Sequence, residues 1–140
     1  MTASPAREFF DSVSDAVRAR ARAADLLEYG PSGGSKGRST GCGDPVQARF
    51  ESDEAARAQL AAAERTVREG ERVIEGLRKV YARKADALEL RHVRLMGWRQ
   101  VGEVLGVDAR TARRWADIML DWVDLVGLAR AAMGEGVAQG

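Results

Sequence analysis

Between Trp98 and Asp117 the chain reads WRQVGEVLGVDARTARRWAD, and this stretch leaves it little conformational choice. Apolar residues fall at Val101, Leu105, Val107, Ala112 and Trp115, with glycines at Gly102 and Gly106. Two short helices crossing steeply need this set: a small residue where the backbones touch, and a glycine where the chain turns back. The spacing predicts one helix over 98–105, a corner at Gly106-Val107, and a second helix with Asp108 as its N-cap. On that second helix Ala109, Arg110, Arg113, Arg114 and Asp117 fall between the buried positions and face outwards.

The rest of the chain is also helical in pattern, so the expected fold is all-α. Ser4-Pro5 has the form of an N-cap followed by proline at the first helical position. Phe9, Val13, Ala16, Val17, Ala24 and Leu27 recur at helical steps as far as Tyr29-Gly30-Pro31, where the helix should stop. Arg18, Arg20 and Arg22 on this helix read as a solvated face, with DNA contact as the rival. The stretch from Gly30 to Asp44, GPSGGSKGRSTGCGD, is a flexible loop. Its spacing is neither GxxxxGK[ST] nor GxGxxG after a strand, so no nucleotide cofactor is expected. Lys36 and Arg38 could touch phosphates from it, although a plain linker is the stronger reading, and Cys42 reads as a solvated thiol.

From Val46 to Val80 the pattern is one long helix. Leu60, Val67, Ile74, Tyr81 and Leu88 stand on a seven-residue repeat, with Ala56, Ala63, Gly70 and Leu77 between them. Such a stripe keeps one seam facing a partner, as in a coiled coil or a helical hairpin. Leu60, Val67, Ile74, Leu77 and Tyr81 are the seam. It packs on the N-terminal helix of the same chain, on a second copy, or on both, as a hairpin inside a homodimer. Asp86-Ala-Leu-Glu89 has capping-box spacing, which would start a new helix near Lys84–Asp86; a continuous helix is the alternative. Leu88, Leu90, Val93 and Leu95 then supply the first helix of a three-helix unit, and Met96-Gly97 its turn. Ile118, Met119, Trp122, Val123 and Val126 carry the last helix on to Gly127 or Gly134. Its surplus apolar surface is either an oligomer or RNA polymerase contact or a packing face within the chain. The expected organisation is thus an amphipathic helix over 1–29, a Gly/Ser-rich loop over 30–45, a long helix over 46–85, a DNA-binding unit over 86–133 and a frayed tail over 134–140.

The chemistry follows from the arginines. In a helix-turn-helix the second helix enters the major groove of double-stranded DNA, and arginine makes the bidentate contact to guanine N7 and O6. Arg110, Arg113 and Arg114 are the candidates for base contact, with Arg114 also in reach of phosphate. Arg99, Gln100, Thr111, Arg91 and Arg94 are the candidates for phosphate contact. The net charge of the 140-residue chain is only +1, but Arg91, Arg94, Arg99, Arg110, Arg113 and Arg114 oppose only Glu103 and Asp108 over that stretch. A local basic face in a near-neutral protein suits salt-sensitive, specific binding. No nucleophile–base pair, carboxylate pair or metal-ligand spacing stands out, and His92 is the only histidine, so neither catalysis nor a metal site is expected. No segment approaches the ~20 apolar residues of a membrane span, and the N-terminus lacks an apolar signal core, so a cytoplasmic location away from membranes is expected.

Leu88-Glu-Leu-Arg-His-Val and the run from Gly97 to Trp115 resemble region 4 of sigma-70-type factors. The layout over about residues 24–125 resembles the ArpU/RinA-type phage transcriptional regulators. These join an N-terminal helix, a Gly-rich loop with an Asp-Pro element (here Gly43-Asp44-Pro45), a long helix and a sigma-region-4-like domain. Val101-Gly102 stands where such domains often have isoleucine-alanine, and Ala112 where valine is usual. The resemblance implies a sequence-specific transcriptional regulator of phage or prophage type, acting on late or packaging genes. A small terminase subunit or packaging adaptor that binds DNA as a ring is one alternative. A helical interaction module that binds no DNA is the other.

Overall fold

A computed structural model of the chain describes residues 3–29 and 45–134. These form an all-α fold with no strand among the described residues: α1 (Pro5–Tyr29), α2 (Pro45–Arg78), α3 (Ala82–His92), α4 (Trp98–Leu105), α5 (Ala109–Val126) and α6 (Leu128–Met133). The expectations for Lys36, Arg38, Cys42, Gly43-Asp44 and the tail beyond Gly134 lie outside the described residues.

The first helix begins as its sequence dictates, with the Arg7 amide donating to Ser4 Oγ at 3.2 Å. Its buried face is turned from the expected one. Ala6, Phe10, Val13, Ala16 and Ala23 are the enclosed residues, while Phe9 is half-buried edge-on to Phe10 and Ala24 is exposed. Both phenylalanines fit a helical stripe; the choice falls to Phe10 because it continues the line from Ala6 to Val13 that α2 covers.

Helices α1 and α2 run antiparallel as a hairpin. Ala16 packs with Ala63 and Val67. At Gly70 the helices come so close that an added Cβ would stand 2.7 Å from Val13 Cγ2. The seam is therefore occupied from within the chain: Val67, Ile74 and Leu77 are buried and Leu60 is half-buried. Tyr81 does not belong to it. The long helix ends at Arg78, and Tyr81 is the 46 % exposed N-cap residue of α3, in extended backbone.

The break comes earlier than the expected boundary at Lys84–Asp86, and no proline or glycine makes it. The amides of Val80 and Tyr81 both fold back onto the Leu77 carbonyl, at 2.9 and 2.8 Å. Arg78 then ties the two helices together: Nε donates to Asp86 at 3.0 Å, one terminal nitrogen to Glu89 at 2.6 Å, and the other to Glu75 at 2.6 Å. Asp86 and Glu89, which have the spacing of a capping box, lie inside α3 as partners of this one guanidinium.

One hydrophobic cluster runs through the molecule. It takes Phe10 from α1, Ile74 and Leu77 from α2, Leu88 from α3, Val101 from α4, Met119 and Val123 from α5, and Ala131 from α6. Helix α5 stops at Val126. Gly127, at φ 92°, turns the chain into α6, which lies so close on α2 that a Cβ on Gly76 would run into the Ala131 carbonyl. Ala116, Met119, Leu120 and Val123 are buried, and Trp115, Trp122 and Val126 pack partly against the core, so most of the surplus apolar surface of α5 is used within the chain.

His92 belongs to this packing. Its ring lies 5.6 Å from Phe10, and Nδ1 is 3.0 Å from the hydroxyl of Ser14, which also donates to the His92 carbonyl at 3.2 Å. Burial holds its pKa below the ordinary value of 6.5; Asp11 pulls the other way and Arg91 adds to the depression.

Two outcomes are expected. Arg78→Met leaves Asp86 and Glu89 without their cation and should lower unfolding free energy by about 1 kcal/mol, read from urea denaturation. For His92, the unfolded chain binds a proton that the folded one refuses between the folded pKa and 6.5. Its contribution is therefore favourable above about 6.5 and is lost as pH falls towards the folded value. The urea midpoint of the wild type should drop across that window, and His92→Gln should show a shallower drop.

Candidate nucleic-acid interface

Helices α3, α4 and α5 build the helix-turn-helix unit. Val101 and Ala112 are fully buried, as a crossing of two short helices requires. Gly102 sits against the turn; a Cβ there would be 2.5 Å from the Val107 carbonyl oxygen. Gly106 closes α4 in the left-handed region at φ 74°, ψ 31°, which favours glycine. Asp108 caps α5 by accepting from the Thr111 amide at 2.7 Å. The hydroxyl and then the amide of Thr111 hold the Asp108 carboxyl below the usual range, and the charge of Arg110 adds to this. Every local element expected of this corner is present.

The arginines divide into two groups. Arg110, Arg113 and Arg114 are exposed along the outer side of α5, and Arg99, Gln100 and Arg94 are exposed beside them on α4 and the α3–α4 turn. Among the described residues none of these five arginines has a carboxylate within ion-pair distance. Arg91 differs. It is half-buried, donates to the Met96 carbonyl at 3.0 Å and lies over the Trp98 ring at 4.8 Å. Its guanidinium links α3 to the α3–α4 turn and to the start of α4. Thr111 is half-buried at the cap.

Two basic residues that the sequence reading passed over support the unit from behind. Arg83 donates to the Leu105 carbonyl, at the end of α4 where helical carbonyls lack partners, and stacks on Trp115 at 5.3 Å. Lys84 lies 5.7 Å from the same ring and 5.1 Å from Tyr81. No local signal marks Arg83, since its partner is 22 residues away.

The acidic extension of α5 also has an internal use. Asp124 accepts from the Ser4 hydroxyl at 2.6 Å and from the Ala6 amide at 2.8 Å, so a carboxylate from α5 caps the N-terminus of α1. These two bonds, hydroxyl first, lower its pKa. Arg7 reaches Asp121 at 3.1 Å, Asp117 at 3.4 Å and Asp124 at 3.8 Å. Ile118 and the 77 % exposed Leu125 are what remains uncovered of the apolar extension. The described residues hold no group of three or more histidine, cysteine or acidic side chains able to bind a metal, and no helix among them is long and apolar enough to cross a membrane.

The α3–α4 turn contains one strained residue. Leu95 lies at φ 57° with an exposed side chain, while the Met96 amide closes onto the Leu90 carbonyl at 3.0 Å. A side chain in this region costs about 1 kcal/mol or more. Leu95→Gly should therefore raise the thermal midpoint, by about 1 kcal/mol of stability, and a lower midpoint would contradict this reading.

Neither a protein-family model, nor a curated protein, nor a solved structure matches the chain.

Proposed function

We propose that this protein is a sequence-specific DNA-binding transcriptional regulator that places α5 in the major groove of double-stranded DNA. The observation that carries the reading is the front of α5: a helix capped by Asp108, set by Gly102 and Gly106, with Arg110, Arg113 and Arg114 exposed and unpaired among the described residues. Arginines in this state are available for bidentate contact with guanine. Arg99, Gln100 and Arg94 flank them on the side where phosphates would run, and Arg91, Arg83 and Lys84 hold the corner in shape. A role in phage or prophage late or packaging gene control follows from the resemblance of the layout over about residues 24–125 to the ArpU/RinA-type regulators, and RNA polymerase is the partner proposed for the apolar surface that α5 leaves exposed at Ile118 and Leu125.

A homodimer presenting two such helices belongs to the proposal. Val67, Ile74 and Leu77 are covered by the chain's own helices, so a second copy would meet other surface.

Selection from a random duplex pool, followed by anisotropy titrations at several salt concentrations, tests the reading. Specific binding should weaken steeply with salt. Arg113→Ala should lose about 1–3 kcal/mol on the selected site and relax its base preference, whereas Arg99→Ala should weaken all sequences about equally. Identical behaviour of the two variants would refute the division of roles, and no binding at low salt would refute DNA recognition. A ring of eight or more subunits by solution mass would replace the dimeric regulator with a packaging adaptor.

A further inference from the structure

The recognition helix carries its acids immediately after its arginines. Side chains three and four residues apart are neighbours on a helix. Asp117 is four residues from Arg113 and three from Arg114, and Asp121 follows one turn later. A carboxylate so placed pairs readily with those arginines and competes with any phosphate or base they would bind. In the structure it turns elsewhere. Asp117 meets Arg7 of α1 at 3.4 Å, and Asp121 meets the same guanidinium at 3.1 Å.

Arg7 is fixed in this position by other bonds. Asp124 holds the start of α1 through Ser4 and Ala6, and Arg7 itself donates to Ser4 Oγ at 3.2 Å. One cation from the far end of the chain thus gathers the carboxylates of α5, while Arg113 and Arg114 are left without an acidic partner among the described residues.

We propose that Arg7 is a positioning residue for the DNA-binding face: by holding Asp117 and Asp121 it keeps Arg113 and Arg114 open to the duplex and offsets negative charge beside the phosphates. The inference rests on the DNA-binding reading above. It assigns to α1 a part in recognition without contact to DNA.

The test is duplex binding by the full chain at about 100 mM salt, where charges within roughly 10 Å still act on one another. The versions compared are wild type, Arg7→Ala, Asp117→Asn, and the combination Arg7→Ala/Asp117→Asn/Asp121→Asn, each checked for helical content. Arg7→Ala should bind about three- to tenfold more weakly as Asp117 turns to the arginines. Asp117→Asn alone should stay within about twofold of wild type, since Arg7 already holds that charge. The combination should return to within about twofold of wild type although the ion pairs are gone. Arg7→Ala binding like wild type overturns the proposal. So does a folded combination that stays as weak as Arg7→Ala, which would mean that docking of α1 matters and charge does not. Should Arg7→Ala fail to fold, Asp117→Asn decides: unchanged affinity supports the proposal, and a gain above about threefold shows Asp117 already competing and overturns it. A wild type that binds no duplex overturns the DNA-binding reading and this inference with it, whereas loss of the inference alone leaves wild-type binding intact.

Discussion

Phe10, Ile74, Leu77, Leu88 and Met119 come from four helices and close into one buried cluster. Burying side chains of this size contributes about 1.5–3 kcal/mol each. No pair of these helices could supply the whole cluster. The hairpin of α1 and α2 therefore holds up the helix-turn-helix directly, as part of the same core. Val101 and Ala112, which set the crossing of α4 and α5, belong to that cluster too. The angle at which the outer face of α5 is presented thus depends on packing that begins at residues 6–13.

Polar contacts then fix the arrangement that the core permits. Arg78 ties α2 to α3, Arg83 joins α3 to the end of α4, and Asp124 joins α5 to the start of α1. Each links a side chain to a group that would otherwise lack a partner: two carboxylates, a helix-end carbonyl and a helix-start amide. Partly exposed ion pairs add little stability individually. Their value here is directional, since each specifies which end of one helix meets which end of the next.

This division explains what could be read in the sequence. The corner at Gly106, the cap at Asp108, the start at Ser4-Pro5 and the outward arginines are local, and one turn of helix is enough to recognise them. Apart from Leu95, the misplaced features are non-local. Asp86 and Glu89 have the spacing of a capping box, but Arg78 from the preceding helix claims both. Phe9 and Phe10 are equivalent until α2 is laid against them. The αL residue of the α3–α4 turn is Leu95, beside the glycine at Gly97 that the turn would be expected to use.

The cap that Asp124 places on α1 has a bearing on how the molecule can be extended. Ser4 lies within hydrogen-bonding distance of Asp124, so the described part of α1 begins against the C-terminal part of α5. Gly134 lies against Lys79 and Gly76 at the end of α2. A chain attached ahead of Ser4 would start from the C-terminal part of α5, whereas one attached beyond Gly134 would start from the end of α2. The two ends of the described fold are thus inequivalent attachment points.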